Sequence, residues 1–293
     1  MRDQVIFIFL LITFTAGGQT SSKDWLIDND NFIAEIKSEG KDLVLTNGLT
    51  YRKIRLEPNA TTIEYKNLVT GESYLRSIKP EAEVRINDST YAVGGLHGLK
   101  EHGYLLEEWI DGLVADSTSF KYFAHSIEDI KPKLNWNRGK RYQTASAEFP
   151  TGKELILQFQ HSSEELKGII VSVHYEIFDG IPLISKWIRV DNNTNKPIQV
   201  SGFKSEILAF PEAENFVETP KRWKRPNIHV ESDYSFGGFT TDESETSIFW
   251  EEDPEYTSQV NWLMQTECLL ISTLKVGPDI TLEPKSTFKS FRT

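Results

Sequence analysis

Cysteine is almost absent from this sequence of 293 residues, which contains a single one, Cys268. One thiol cannot form a disulfide within the chain, so covalent cross-links do not hold this fold together. Cys268 lies in the apolar run ECLLI, and we expect a buried, unreactive thiol there.

Positive charge is also scarce. The chain has 32 lysine and arginine residues against 43 aspartate and glutamate residues, and its net charge is −11. A nucleic-acid interface needs a basic face, so the composition argues against nucleic acid as a partner. Aromatic residues make up 12% and charged residues 26%, which is typical of a soluble globular protein rather than a disordered one.

Long helical patterns are missing as well. No segment keeps a period of 3.6 residues beyond about three turns, and residues 104–113, YLLEEWIDGL, are the best candidate for a short helix. Short apolar runs separated by Gly, Asn, Asp and Pro recur instead, which predicts antiparallel strands. We therefore predict an all-β fold, a large antiparallel β-sandwich with one or two short helices.

The clearest strand pattern is a hairpin at residues 171–194. Val171, Val173 and Tyr175 alternate with polar neighbours, the period expected of a strand with two different faces. Asp179 and Gly180 supply a turn, and a second apolar run follows at residues 183–190. Both rows of that run contain large apolar side chains, so we expect a strand covered on both sides and an apolar outer face.

The first eighteen residues predict a secretory signal. Residues 5–16, VIFIFLLITFTA, are apolar but short for a membrane span, and small residues follow before Gln19. We predict a signal peptide over residues 1–18 and a periplasmic or secreted mature protein. An uncleaved membrane anchor is the alternative.

No pattern predicts a metal, a cofactor or a phosphate site. His97 and His102 have no third ligand at a known spacing. The glycine pairs at 94–95 and 237–238 lack the spacing of phosphate-binding loops, and we expect them to allow turns with positive φ.

Two groups of side chains could bind a sugar, because aromatic faces stack on the C–H patches of sugars while carboxylates bind hydroxyls. The first group comprises Trp250, Glu251, Asp253, Tyr256 and Trp262. The second and weaker group comprises Trp109 and Asp111. The competing interpretations are a core tryptophan beside a solvated acidic loop for the first group, and an amphipathic helix with a buried tryptophan for the second.

Several short motifs occur in one order along the chain. They are NGL at 47–49, PNAT at 58–61, GES at 71–73, KPEA at 79–82, VGGL at 93–96, HYEIFDGIPLISKWIRVDN at 174–192 and SDYSFGGF at 232–239. Together they resemble the N-terminal β-supersandwich domain of α-galactosidase-like enzymes in glycoside hydrolase family 36, in a bacterial exported subgroup. The resemblance implies a galactose-mutarotase-like supersandwich, and we expect residues 19–293 to form that single domain.

The resemblance also implies where catalysis occurs. In the family both catalytic carboxylates lie on a (β/α)8 barrel that follows the sandwich, and the nucleophile sits in a Lys-x-Asp motif. This sequence contains no Lys-x-Asp and no barrel pattern, so we assign no catalytic residue and consider the barrel absent.

These observations favour a non-catalytic accessory domain that stabilises a C-terminal barrel of the same parent chain and contributes to its sugar pocket. A fragment of a complete hydrolase and a stand-alone carbohydrate-binding module are the alternatives. The expected partners are that barrel and an oligo- or polysaccharide, while the sugar and the oligomeric state stay open.

Overall fold

The computed structural model describes residues 24–133, 149–212, 227–234, 246–259 and 261–293. The predicted signal peptide, the second glycine pair and most of the SDYSFGGF motif lie outside the described residues. Within the described ranges, no helix has the length and apolar character needed to cross a membrane.

The described chain is built almost entirely of antiparallel strands, which confirms the predicted all-β sandwich. In chain order the elements are β1 (Glu35–Glu39), β2 (Asp42–Thr46), β3 (Thr50–Arg55), β4 (Thr61–Asn67), β5 (Glu72–Ser73), β6 (Ala82–Ile86), β7 (Ser89–Val93), α1 (Glu107–Ile110), β8 (Lys121–Asp129), β9 (Gly152–Gln160), β10 (Ile169–Phe178), β11 (Ile184–Asn192), β12 (Ile198–Ala209), β13 (Ile248–Glu252), β14 (Glu267–Thr273), β15 (Ile280–Leu282) and β16 (Thr287–Lys289).

Three sheets share these strands. The first has the order β1-β2-β3-β4-β5, the second β16-β11-β10-β9-β8, and the third β13-β14-β12-β6-β7 with β15 beside β12. The largest hydrophobic cluster contains side chains of all three, among them Leu45, Val84 and Val173. The second sheet therefore packs against both others, and the three sheets enclose one core.

The hairpin predicted at residues 171–194 is confirmed as β10 and β11. Val171 pairs with Val190 and His174 with Trp187 in the antiparallel register. The core-facing row of β10, which includes Tyr175, is fully buried. Alternation along the sequence thus placed the correct side chains in the core.

The expected apolar outer face is wrong for these two strands. The outer row of β10 carries His174, whose ring stacks on Trp187 at a centroid distance of 3.6 Å and whose Nδ1 lies 2.7 Å from Glu154. Glu176 in the same row accepts two hydrogen bonds from Arg292, at 2.9 and 2.7 Å. Both faces are covered, as expected, but polar contacts and not an apolar patch cover the outer one.

One local prediction also changes. Helix α1 exists within the predicted segment, but Ile110 is its buried residue, and Trp109 is only half-buried. Residues 227–231 are irregular in structure. Cys268 is buried as predicted, and burial raises the pKa of its thiol.

Candidate functional site

Arg76 organises the loop that holds two of the predicted sugar-binding residues. Its guanidinium donates a hydrogen bond of 2.6 Å to Asp253 and lies 3.9 Å above the ring of Tyr256. It also donates to the backbone carbonyls of Phe210, at 2.9 Å, and His102. Arg76 therefore ties three separate parts of the chain together.

Asp253 is enclosed in this cluster and has no exposed surface. Its other oxygen accepts a hydrogen bond of 2.8 Å from Lys79, which also pairs with Glu255 at 2.5 Å. Burial opposes ionisation, but the hydrogen bonds from Lys79 and Arg76 outweigh it and lower the pKa of Asp253. Because each carboxylate oxygen of Asp253 accepts a hydrogen bond from a basic side chain, the carboxylate is not available to a ligand in this conformation.

Tyr256 is likewise held inside the protein. Its hydroxyl donates a hydrogen bond of 2.6 Å to Glu212, and only 4% of the residue is exposed. Burial and this hydrogen bond raise its pKa to about 12. The two residues that the sequence placed in a sugar site thus belong to a buried structural network.

The other three candidates of the first group are more exposed. Trp250 is half-buried against Phe210, with ring centroids 5.0 Å apart, while Glu251 is exposed on β13. Trp262 is 64% exposed. The first group thus combines two buried residues with three that keep accessible surface.

The second group lies at helix α1. Trp109 packs on Tyr104, which is 54% exposed, with ring centroids 5.2 Å apart. Asp111 follows the helix and accepts a hydrogen bond of 2.7 Å from Arg55. This arrangement leaves an aromatic pair at the surface beside Glu107 and Glu108, which are exposed.

A cavity of about 440 Å³ lies where the three sheets meet, and the sequence analysis did not identify it. Its floor carries Arg52 from β3, Lys186 from β11 and Glu206 from β12. The walls and mouth are formed by Thr50, Tyr65, Asn67, Tyr74, Pro182, Leu183, Ile184, Leu208, Asn227, Ile228, His229, Val230, Glu231, Leu270 and Thr293. This volume is within the range of small-molecule sites, roughly 300–1,000 Å³.

Arg52 is the central residue of the cavity floor, and it is 2% exposed. It donates two hydrogen bonds to the carboxylate of Glu206, at 2.7 and 3.3 Å. A third goes to Thr62 at 2.9 Å, and a longer one reaches the Tyr175 hydroxyl at 3.5 Å. One side chain therefore connects strands of all three sheets.

Lys186 is the second buried cation of the floor. Its ammonium donates to Glu206 at 2.6 Å and to the backbone carbonyl of Glu81 at 2.5 Å. The Glu81 carboxylate lies 3.6 Å from Lys186 and 3.7 Å from Arg52. Two cations and two carboxylates are thus placed together.

Three residues of the cavity have shifted pKa values. Burial lowers the pKa of the Lys186 ammonium, although the charges of Glu206 and Glu81 oppose the shift. Burial alone would raise the pKa of Glu206, but the charges of Arg52 and Lys186 lower it to about 2. Burial raises the pKa of Tyr65 to about 12, although Arg52 opposes the shift. Neither Glu206 nor Tyr65 can exchange a proton readily near pH 7, so these two residues suit binding better than acid–base catalysis.

One signal in the sequence could have indicated this site. Lys186 stands between Ile184 and Ile188 in the row of β11 that faces the interior, where a charge is unusual. Its partners are far away in the chain, however, so the pattern shows an anomaly without showing what Lys186 contacts. Among the described residues there is no group of three or more side chains placed to hold a metal ion.

The family model described as the glycosyl hydrolase family 36 N-terminal domain matches residues 84–240, more than half of the chain. No curated protein matches the chain.

The solved structures to which this chain shows similarity include the GH36 α-galactosidase AgaB from Geobacillus stearothermophilus, which is 13% identical with a TM-score of 0.43. That match covers 88% of this chain and 40% of the AgaB chain. The galactosidase domain of the α-galactosidase-sucrose kinase AgaSK is 10% identical with a TM-score of 0.41, and the match covers 88% of this chain and 41% of that one. This chain thus spans about two fifths of the solved chains it matches. Because the family model covers more than half of the sequence, the chain belongs to the family of glycosyl hydrolase family 36 N-terminal domains.

Proposed function

We propose that this chain is the non-catalytic accessory domain of an exported, α-galactosidase-like glycoside hydrolase, and that it stabilises a C-terminal (β/α)8 catalytic barrel of the same parent chain. The observation that carries the proposal is the match to the family 36 N-terminal domain over residues 84–240. The all-β architecture of the described chain is consistent with it.

The state of the buried carboxylates supports a non-catalytic role. Glycoside hydrolysis requires a pair of carboxyl groups, one of which is an acid with a raised pKa. Asp253 and Glu206 are both buried, but cations bind each of them and lower its pKa. Both carboxyl groups therefore stay ionised near pH 7, whereas a general acid must carry a proton at that pH.

The test compares two proteins. The isolated chain from residue 19 should not hydrolyse 4-nitrophenyl α-galactoside, whereas the protein encoded by the full natural reading frame should. Turnover by the isolated chain that disappears in Asp253→Asn would refute the accessory role. A full reading frame without α-galactosidase activity would refute the assignment to this class of enzyme.

We further propose that the aromatic pair Tyr104 and Trp109 contributes to the rim of the sugar pocket. The pair is at the surface, and exposed carboxylates stand beside it, which is the combination that binds sugars. In the complete enzyme, Trp109→Ala should raise KM for an oligosaccharide with little change in kcat, while Phe123→Ala on β8, where the residue is 42% exposed, serves as the control. An unchanged KM would exclude this role.

Export rests on the sequence of residues 1–18, which lie outside the described residues. N-terminal sequencing of the mature protein should begin near Gln19. Recovery of an intact Met1 in the membrane fraction would favour an uncleaved anchor instead.

A further inference from the structure

The cavity at the junction of the three sheets has features of a ligand site that a purely structural charge cluster does not need. We propose that it binds a neutral, hydroxyl-rich ligand of monosaccharide size within the sandwich itself. This inference goes beyond the proposed function, because it requires no barrel and no catalysis.

The charge balance of the floor selects a neutral ligand. Arg52 and Lys186 face Glu81 and Glu206, so the two positive charges are matched by two carboxylates within 3.7 Å. A charged ligand would leave one charge unpaired in a buried place, at a large cost in free energy. Hydroxyl groups are uncharged and can both donate and accept hydrogen bonds, so binding them leaves no buried charge unpaired.

The polar groups of the floor also retain hydrogen-bonding capacity. A lysine ammonium has three N–H donors, and Lys186 makes two hydrogen bonds to described residues. Of the two Glu206 oxygens, Oε2 accepts one hydrogen bond, from Arg52, while Oε1 accepts three. A donor and an acceptor are thus both available to a ligand hydroxyl.

Tyr65 adds a hydroxyl of its own. It lines the cavity, and the residue is half-buried. The buried Oε2 of Glu81, which lies 3.7 Å from Arg52 of the floor, has no hydrogen-bond partner among the described residues. Buried polar groups in native proteins are normally hydrogen-bonded, so this unsatisfied carboxylate oxygen next to the cavity floor favours a polar occupant.

The walls are suited to the apolar faces of a sugar ring. Tyr65 and Tyr74 meet edge to face with centroids 5.3 Å apart, and Leu208 and Leu270 line the same space. Aromatic and aliphatic walls around a few polar groups are the usual composition of a small-molecule site. The mouth is open to solvent at Leu183, which is 46% exposed.

Calorimetric titration of the isolated chain with D-galactose, D-glucose and D-mannose tests binding directly. We expect at least one to bind with a Kd on the order of 1 mM, as the size of the ligand allows. D-Galacturonate and inorganic phosphate should bind at least about tenfold more weakly, because each brings an unbalanced charge. Absence of binding by all three neutral sugars, or stronger binding of the two anions, would overturn the proposal.

A matched pair of variants locates the site. Tyr65→Phe removes only the hydroxyl of a residue that lines the cavity, and we expect it to weaken binding about three- to tenfold. Tyr51→Phe makes the same change on the neighbouring strand of the same sheet, outside the cavity lining, and should leave binding unchanged. Thermal unfolding of both variants confirms that they are folded.

A direct readout accompanies the variants. In protein labelled with 3-fluorotyrosine, the ¹⁹F resonances of Tyr65 and Tyr74 should shift on addition of the sugar, and that of Tyr51 should not. Equal affinities in the two variants, or shifts at Tyr51 alone, would place binding outside the cavity and refute the inference. Because no hydrolysis is measured, these results are independent of whether the parent enzyme is an α-galactosidase.

Discussion

Arg52 is the residue that joins the three sheets. It lies on β3, hydrogen-bonds to Thr62 on β4, and reaches Tyr175 on β10 and Glu206 on β12. A buried ion pair is weak evidence for stability in itself, since desolvation offsets much of the attraction. Removing one partner is costly, however, because the other charge then remains buried without compensation.

Glu206→Gln tests this view. The change leaves Arg52 and Lys186 with only Glu81 as a counter-charge, and we expect the free energy of unfolding to fall by about 3–5 kcal/mol in urea titrations. Glu83→Gln is the control, because Glu83 and Lys204 form a pair at 3.1 Å in which each side chain is about one third exposed. We expect that control to lose less than about 1 kcal/mol, and similar losses in both variants would contradict the central role of Glu206.

The same carboxyl group predicts a dependence of stability on pH. Its pKa is about 2 in the folded protein against an ordinary value of 4.5, so the unfolded chain binds the proton more readily. The stabilisation is complete above about pH 4.5 and is lost as the pH falls toward 2. Between pH 5 and pH 2, the urea midpoint of the wild type should fall more steeply than that of Glu206→Gln. Parallel pH profiles would show that Glu206 is not the responsible group.

At the scale of elements, turns decide how the strands connect. Asn87 and Asp88 both have positive φ between β6 and β7, as a tight hairpin requires. Gly94 and Gly95, which follow β7, have φ values of +70° and +87°, which confirms that this pair serves a turn.

Gly94→Ala should be far more harmful than a similar change in an open turn. A Cβ atom at Gly94 would lie 2.3 Å from the carbonyl oxygen of Ala60, so the backbone would have to move. Gly40 also has positive φ, at +63°, but no atom lies within 4 Å of the added Cβ. We expect Gly40→Ala to lower the free energy of unfolding by about 1–2 kcal/mol, because alanine disfavours positive φ, and we expect Gly94→Ala to lower it by clearly more. If urea titrations gave equal losses for the two variants, the close approach to Ala60 would not matter.

At the scale of the whole molecule, one core connects the three sheets. Its buried cluster includes Leu45 from the first sheet, Val173 from the second and Val200 from the third. Separating any one of the three sheets from the others would expose this shared apolar surface to water. We therefore expect the described chain to unfold as one unit.

A single cooperative unfolding transition follows from that packing. The midpoints in urea should coincide when measured by far-ultraviolet circular dichroism and by tryptophan fluorescence. Trp187 is a suitable internal reporter, because it is 8% exposed and contacts both the ring of His174 and the side chain of Arg292. Two separated transitions would divide residues 19–293 into more than one domain.

The sequence by itself determined the class of the fold and the faces of its strands. The alternation of apolar and polar residues is a local property, because side chains two positions apart lie on the same face of a strand. The row of Val171, Val173 and Tyr175 could therefore be assigned to the core from the sequence alone. The ordered motifs likewise identified the family without any coordinates.

Only the tertiary structure decided which charged residues meet. Arg52 and Glu206 are 154 positions apart, and Arg76 and Asp253 are 177 apart. The chain contains 43 acidic residues, and nothing local distinguishes those that bind a buried cation from those that face water. The sequence therefore placed Asp253 and Tyr256 in an open sugar site, whereas the fold encloses them around Arg76. The cavity between the three sheets could not be identified from the sequence either, because its floor forms only when β3, β11 and β12 are brought together.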